Sequence, residues 1–136
     1  MKSIDVRSTQ REQWIAVTSQ VEAALRESGL HDGACLVYVP HTTAGVTINE
    51  NADPDVGDDL LMGLGRIVPT SWPFRHGEGN SDAHLKASLV GSSVLIPVRK
   101  GRLELGTWQG LYFGEFDGPR RRRLIIQFLQ EGGAGG

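Results

Sequence analysis

Three stretches toward the C-terminal end decide the fold class: SSVLIPV at 92–98, TWQGLYFGEF at 107–116 and RLIIQFL at 123–129. All three are too short for typical helices and are rich in β-branched and aromatic residues, so they read as strands. Short connections between them favour antiparallel pairing. Working outward, ACLVYV at 34–39 is a continuous apolar run stopped by Pro40, as in a strand buried on both faces. A second extended segment, 44–49, follows His41-Thr42-Thr43. Near the start, SIDVRS at 3–8 alternates apolar and polar residues, and EQWIAV at 12–17 is expected to pair with it as a hairpin. A capping box from Thr9 to Glu12 opening a longer helix is the competing reading.

Helices fall between these runs. One is expected from Thr18 or Ser19 to Gly29, with Val21, Ala24 and Leu25 on one face and Gly29 as a left-handed cap. Asp53-Pro54 opens a second, with Asp as N-cap and Pro at the first helical position. Val56, Leu60, Leu61 and Leu64 form its apolar stripe. Residues 65–80 show no periodicity and contain Pro69, Pro73, Gly77 and Gly79, which marks a functional or disordered loop. Ser81 or Asp82 then caps a short helix over 83–90, ending at Gly91. Strands outnumber helices, so the fold class is α+β with mostly antiparallel sheet.

At 136 residues the chain is one domain, expected over 1–130, with a flexible Gly-rich tail at 131–136. The balance of 14 Lys+Arg against 16 Asp+Glu gives −2, which argues against a nucleic-acid partner. The single Cys35 excludes an intrachain disulfide. The start has no apolar leader and no run approaches a membrane span, so no membrane partner and a cytoplasmic location are expected.

Several residues could carry chemistry. His41 follows a buried strand, His76 lies in the long loop, and His84 falls in the first turn of the helix opening near Asp82. If the three converged they would leave one position open, the composition of a catalytic zinc site. Glu50, reached through Asn49, could act as general base or as a further ligand. Asp53, Asp55, Asp58 and Asp59 resemble a magnesium cluster, but acids in a first helical turn serve as caps and favour the dipole. Thr42, Thr43 and Gly45 could present hydroxyls and backbone N–H groups to an anion. In the run Arg120 to Arg123, strand alternation puts Arg120 and Arg122 on one face and Arg121 and Arg123 on the other. Part of that run suits a phosphate clamp or an ion pair between subunits. Glycine within 106–110 marks a bulge or a close backbone approach, and Trp108 reads as core or interface packing.

With these residues in view, the chain resembles the YjbQ family of small proteins, UPF0047, over residues 3–129. Ser93, Ile96, Val98, Gly101 and Gly106-Thr107-Trp108-Gln109 stand at the family's spacing. His41-Thr42-Thr43-Ala44, Asn49 through Pro54, and Ala83-His84-Leu85-Lys86 match further blocks. The resemblance implies a distorted sandwich-like arrangement of sheets with a few packed helices, assembled as a homotrimer, and a metal pocket near a subunit interface. It implies His41, His76 and His84 as ligands of a divalent metal, zinc or, with a pyrophosphate substrate, magnesium. Asn49 and Glu50 become neighbours of that site, with Glu50 as base. Thr42, Thr43, Arg120 and Arg121 become contacts for a small phosphorylated substrate. The family activity implied is thiamine phosphate synthesis, possible as a side reaction. The alternatives are a metal-dependent hydrolase of a small phosphate ester or amide, and a non-catalytic trimer binding a metal or metabolite.

Overall fold

The computed structural model describes residues 1–132. In chain order the elements are β1 (Lys2–Arg7), β2 (Gln13–Ala16), α1 (Thr18–Ser28), β3 (Gly33–Tyr38), β4 (Ala44–Glu50), α2 (Pro54–Ile67), α3 (Ser81–Val90), β5 (Ser93–Arg99), β6 (Arg102–Leu103), β7 (Gln109–Glu115) and β8 (Arg121–Gln130). They form a five-stranded sheet, β1-β8-β3-β5-β6, and a three-stranded sheet, β2-β7-β4. Every pairing is antiparallel. The α+β class read from the three C-terminal strands is the class observed.

The core lies between the sheets. Val37, Ile96, Leu124 and Ile126 come from the large sheet, Val46, Leu111 and Phe113 from the small one, and Val21, Ala24 and Leu25 from α1. Period-two alternation creates this division. In β8, Arg122, Leu124 and Ile126 are buried while Arg121 and Arg123 are exposed. A second cluster joins Ala83 and Ala87 of α3 to Phe116, with Trp14, Leu61, Leu64 and Val90 packed against it. That cluster fixes α2 and α3 against the small sheet.

The expected hairpin between 3–8 and 12–17 does not form. β1 pairs with β8, from Lys2↔Ile126 to Arg7↔Arg121, and β2 pairs with β7 in the other sheet. The connecting residues, Thr9 to Glu12, include no Gly or Asn to supply the positive φ of a tight hairpin turn. They lie instead against the β7–β8 link: Ser8 N–H donates to the Arg120 carbonyl at 3.0 Å and Gly118 N–H to the Arg11 carbonyl at 2.9 Å. The connector thus carries the chain from one sheet to the other.

The helices follow their local signals closely. Gly29 caps α1 at φ 70°, and the Asp53 side chain accepts from Asp55 N–H at the start of α2, with Pro54 in the first turn. No α2 residue is fully buried. Its stripe of Val56, Leu60, Leu61 and Leu64 is half-buried, and Met62 and Ile67 are exposed. α2 runs to Ile67, leaving 68–80 without a regular element. α3 starts at Ser81 with Asn80 in the cap position, so the expected cap at Ser81 or Asp82 is one or two residues late. Asp82 is instead buried, and its carboxylate is held by Arg11 and Lys86. A Cβ on Gly110 would meet Asn51 Oδ1 at 2.5 Å, so the close approach expected in 106–110 is real. Trp108 is 65% exposed and does not belong to the core of this chain. In the tail, Glu131 N–H donates to the Asp32 carbonyl, and residues 133–136 lie outside the described region.

Candidate functional site

Where β7 meets β8 the fold encloses an ion pair. The Glu115 side chain has no exposure, and it accepts from Arg122 Nε at 2.9 Å, Arg122 Nη2, Ser8 Oγ at 2.6 Å and the N–H groups of Phe116 and Asp117. Burial alone would raise its pKa, but these donors together hold it below the usual carboxylate range. Arg122 Nη2 also donates to Thr43 Oγ1 at 2.7 Å. Thr43, expected at a phosphate, is therefore buried and engaged in the structural pair. Thr42 remains exposed at the surface.

His41 stands beside this pair. Its Nε2 accepts the Arg123 backbone N–H at 3.0 Å. A neutral imidazole has one lone pair, so the proton sits on Nδ1 and no nitrogen remains free for a metal. Burial, with Arg122 adding to it, lowers the pKa of His41 and keeps the ring neutral. The expected metal ligand is here a main-chain acceptor that holds the 41–43 segment against β8.

The other two histidines do come together. The rings of His76 and His84 meet edge to face with centroids 5.6 Å apart, bringing the 68–80 loop onto the first turns of α3. Asn80 anchors that junction. Its carbonyl accepts from Ala83 N–H and His84 N–H, and its Nδ2 donates to Asp117 Oδ2 at 2.8 Å. Asp117 in turn accepts from Arg120 Nη2 at 2.9 Å, while Arg120 Nε bonds the Asp117 carbonyl. Arg120 is thereby tethered near the N-terminal end of α3, where no side chain caps the first amides. Arg121 points away from it, exposed on the other face of β8. Among the described residues, no group of three or more His, Cys, Asp or Glu side chains is gathered to hold a metal. Two imidazoles suit a divalent cation chemically but form only part of a coordination sphere.

Glu50 and Asn49 lie elsewhere. They end the seven-residue β4, so ~20 Å of strand separates them from the Ala44 end that follows His41. Within one chain His41 and Glu50 thus flank opposite ends of β4. Glu50 Oε2 accepts from Ala52 N–H at 2.9 Å, and Asn49 Oδ1 accepts from Glu50 N–H. Both residues line a cleft of about 390 Å³ between the small sheet and the N-terminal half of α2, with Trp14 and Tyr112 in its walls. Asp53 caps α2 as expected, and Asp55, Asp58 and Asp59 are exposed acids of the same helix.

A second ionic cluster, like the Glu115–Arg122 pair, was not legible in the sequence. Asp82 and Lys86 are 1% and 2% exposed and bond at 3.2 Å. Arg11 grips Asp82 through both terminal nitrogens, and Lys86 also donates to Glu12. The i,i+4 spacing of Asp82 and Lys86 was a visible signal for half of it. Nothing in the sequence indicated Arg11 and Glu12, roughly 70 residues away.

The family profile described as UPF0047 protein YjbQ-like matches residues 2–131. The chain is similar to the UPF0047 protein YugU of Bacillus subtilis, 51% identical over 130 residues, covering 95% of this chain and 98% of that one. A UPF0047 protein of Methanocaldococcus jannaschii is 49% identical over 91% of this chain and 90% of its own length. Among solved structures, an uncharacterized conserved protein of the same family from Clostridium acetobutylicum superposes with a TM-score of 0.93 at 49% identity, covering 95% of this chain and all of that one. A protein of unknown function from Sulfolobus solfataricus superposes at 0.92 with 33% identity, covering 96% of each.

Proposed function

The chain belongs to the UPF0047 YjbQ-like family, and from that premise we propose that it is a metal-dependent homotrimeric enzyme acting on small phosphorylated molecules. The observation that supports this reading is the meeting of His76 and His84 close to Arg120 and the uncapped end of α3. Nitrogen donors for a cation stand there near a guanidinium and a helix N-terminus, both of which favour an anion. A divalent cation, zinc by the imidazole donors or magnesium with a pyrophosphate substrate, supplies charge stabilisation when bound. A donor from a second subunit completes the coordination that one chain leaves short.

The reaction proposed is thiamine phosphate synthesis. The carbon–oxygen bond of a pyrimidine-methyl pyrophosphate breaks, a carbon–nitrogen bond to a thiazole phosphate forms, and pyrophosphate leaves. Arg120 would bind phosphoryl oxygen, with Asp117 and Asn80 orienting its guanidinium. Holding the two partners in line is the larger part of the task.

The test is metal content per chain in untagged protein, beside His76→Ala and His84→Ala, together with pyrophosphate release from the two substrates. Near-stoichiometric metal lost in both variants, with turnover lost in step, supports the reading. Folded parent protein without metal overturns the centre. Metal-dependent phosphate-ester hydrolysis without synthase turnover replaces the synthase with a hydrolase.

A further inference from the structure

We propose that His41 is a hydrogen-bond donor to a phosphoryl group rather than a metal ligand, and that it shares that group with the Arg123 guanidinium. The ring has no lone pair left for a cation. Its Nε2 accepts the Arg123 backbone N–H at 3.0 Å, which makes Nδ1 the protonated nitrogen. An imidazole held in one tautomer by a main-chain partner offers a donor of fixed position. Among the described residues no acceptor takes the Nδ1 hydrogen. It also reaches solvent, because His41 is only partly buried and the buried side-chain atoms left without a partner there are Trp14 Nε1 and Asn80 Oδ1.

The charge around the ring selects an anion. Within the arginine run, Arg120 is paired with Asp117 and Arg122 with Glu115. Arg121 and Arg123 are exposed and form no ion pair among the described residues. Both project from the outward face of the large sheet, where Arg7 stands directly opposite Arg121 and Asp5 opposite Arg123. Three guanidiniums thus share that end of the sheet with one carboxylate. Like charges directly opposite destabilise a strand pair, and a bound anion relieves the repulsion. Burial, then Arg122, lowers the pKa of His41, and Arg123 adds to them, so its guanidinium acts on a neutral ring. The same guanidinium repels a metal ion. Thr42 adds an exposed hydroxyl beside the ring. Guanidinium, imidazole N–H and hydroxyl are three donors, matching the three acceptor oxygens of a phosphoryl group better than the two of a carboxylate.

The experiment titrates inorganic phosphate into the full chain and follows the two ring nitrogens of His41 by NMR, with sodium chloride at matched ionic strength as the control. Acetate and zinc are titrated separately. The free protein is expected to carry its proton on Nδ1, and phosphate to shift that nitrogen with a midpoint near ~1 mM. Acetate is expected to bind ~10-fold more weakly or worse. Zinc is expected to leave both His41 nitrogens unmoved, whatever it does to His76 and His84. Arg123→Gln keeps the main-chain N–H that holds the ring, and is expected to weaken phosphate by ~10-fold or more. His41→Phe is expected to weaken it similarly, read at the Arg123 side chain; should that variant fail to fold, Arg123→Gln decides. A proton on Nε2, a zinc-induced shift at His41, or a phosphate response no larger than that of chloride overturns the proposal. So does acetate binding as tightly as phosphate, or phosphate affinity unchanged in Arg123→Gln. The metal centre is judged at His76 and His84 alone, so the two readings fail separately.

Discussion

Replacing Arg122 by Ala removes two of the five hydrogen bonds to a carboxylate that has no exposure, leaving Ser8 and the N–H groups of Phe116 and Asp117. It also removes the donor to Thr43 Oγ1. Stranding one charge of a buried pair costs about 3–5 kcal/mol, a large share of a domain's total stability. For a chain of this size that corresponds to a Tm lowered by ~10–20 °C. The pH dependence identifies the cause. In the parent, Glu115 titrates below its ordinary value, so its stabilisation is complete above that value and declines as pH falls through the lowered pKa. In the variant, burial without Arg122 raises the same pKa, so the carboxyl takes up a proton earlier and the penalty is relieved. Chemical denaturation of parent and Arg122→Ala should therefore show a gap that narrows from about pH 7 to about pH 4. The double variant Glu115→Gln/Arg122→Met should recover most of the loss. A cost below ~1 kcal/mol, or a gap unchanged with pH, would refute the reasoning, because it would mean the pair behaves as an exposed one.

Three further outcomes follow from named contacts. Because His41 titrates below its ordinary 6.5, its stabilising effect is full above that pH and is lost as pH falls through the lowered value. Relative to His41→Gln, the parent's advantage in urea denaturation should shrink between about pH 7.5 and about pH 5. Gly114→Ala puts a methyl 2.6 Å from Trp14 Cζ3 and 3.0 Å from Phe116 Cζ, and should cost ~1–3 kcal/mol with a change in tryptophan fluorescence. Asp53→Ala removes the acceptor for Asp55 N–H and should cost ~1 kcal/mol, read as a Tm lowered by a few degrees.

How much of the candidate site was legible differs from residue to residue. Of three histidines picked out in the sequence, two meet in space, and the third is engaged by the Arg123 N–H. The alternation of the arginine run correctly set Arg122 apart from Arg121 and Arg123, but not its partner Glu115, which lies across a chain reversal. Glu50 and Asn49, read in the sequence as neighbours of the His41 site, stand at the opposite end of β4, because position along a strand is invisible until the strand and its pairing are known.

What the sequence by itself determined is local: the strand runs, the Asp53-Pro54 and Gly29 helix ends, the α+β class and the family. These depend on periodicity, φ preferences and capping, which act over a few residues. Only the tertiary structure decided that β1 and β2 join different sheets, because an apolar-alternating strand is satisfied by any partner edge and the choice is made by chain segments 96 to 124 residues away. It also decided which polar residues became buried pairs and which were left facing a cleft. That division is a matter of burial and enclosure, quantities that no stretch of sequence carries until the chain has closed upon itself.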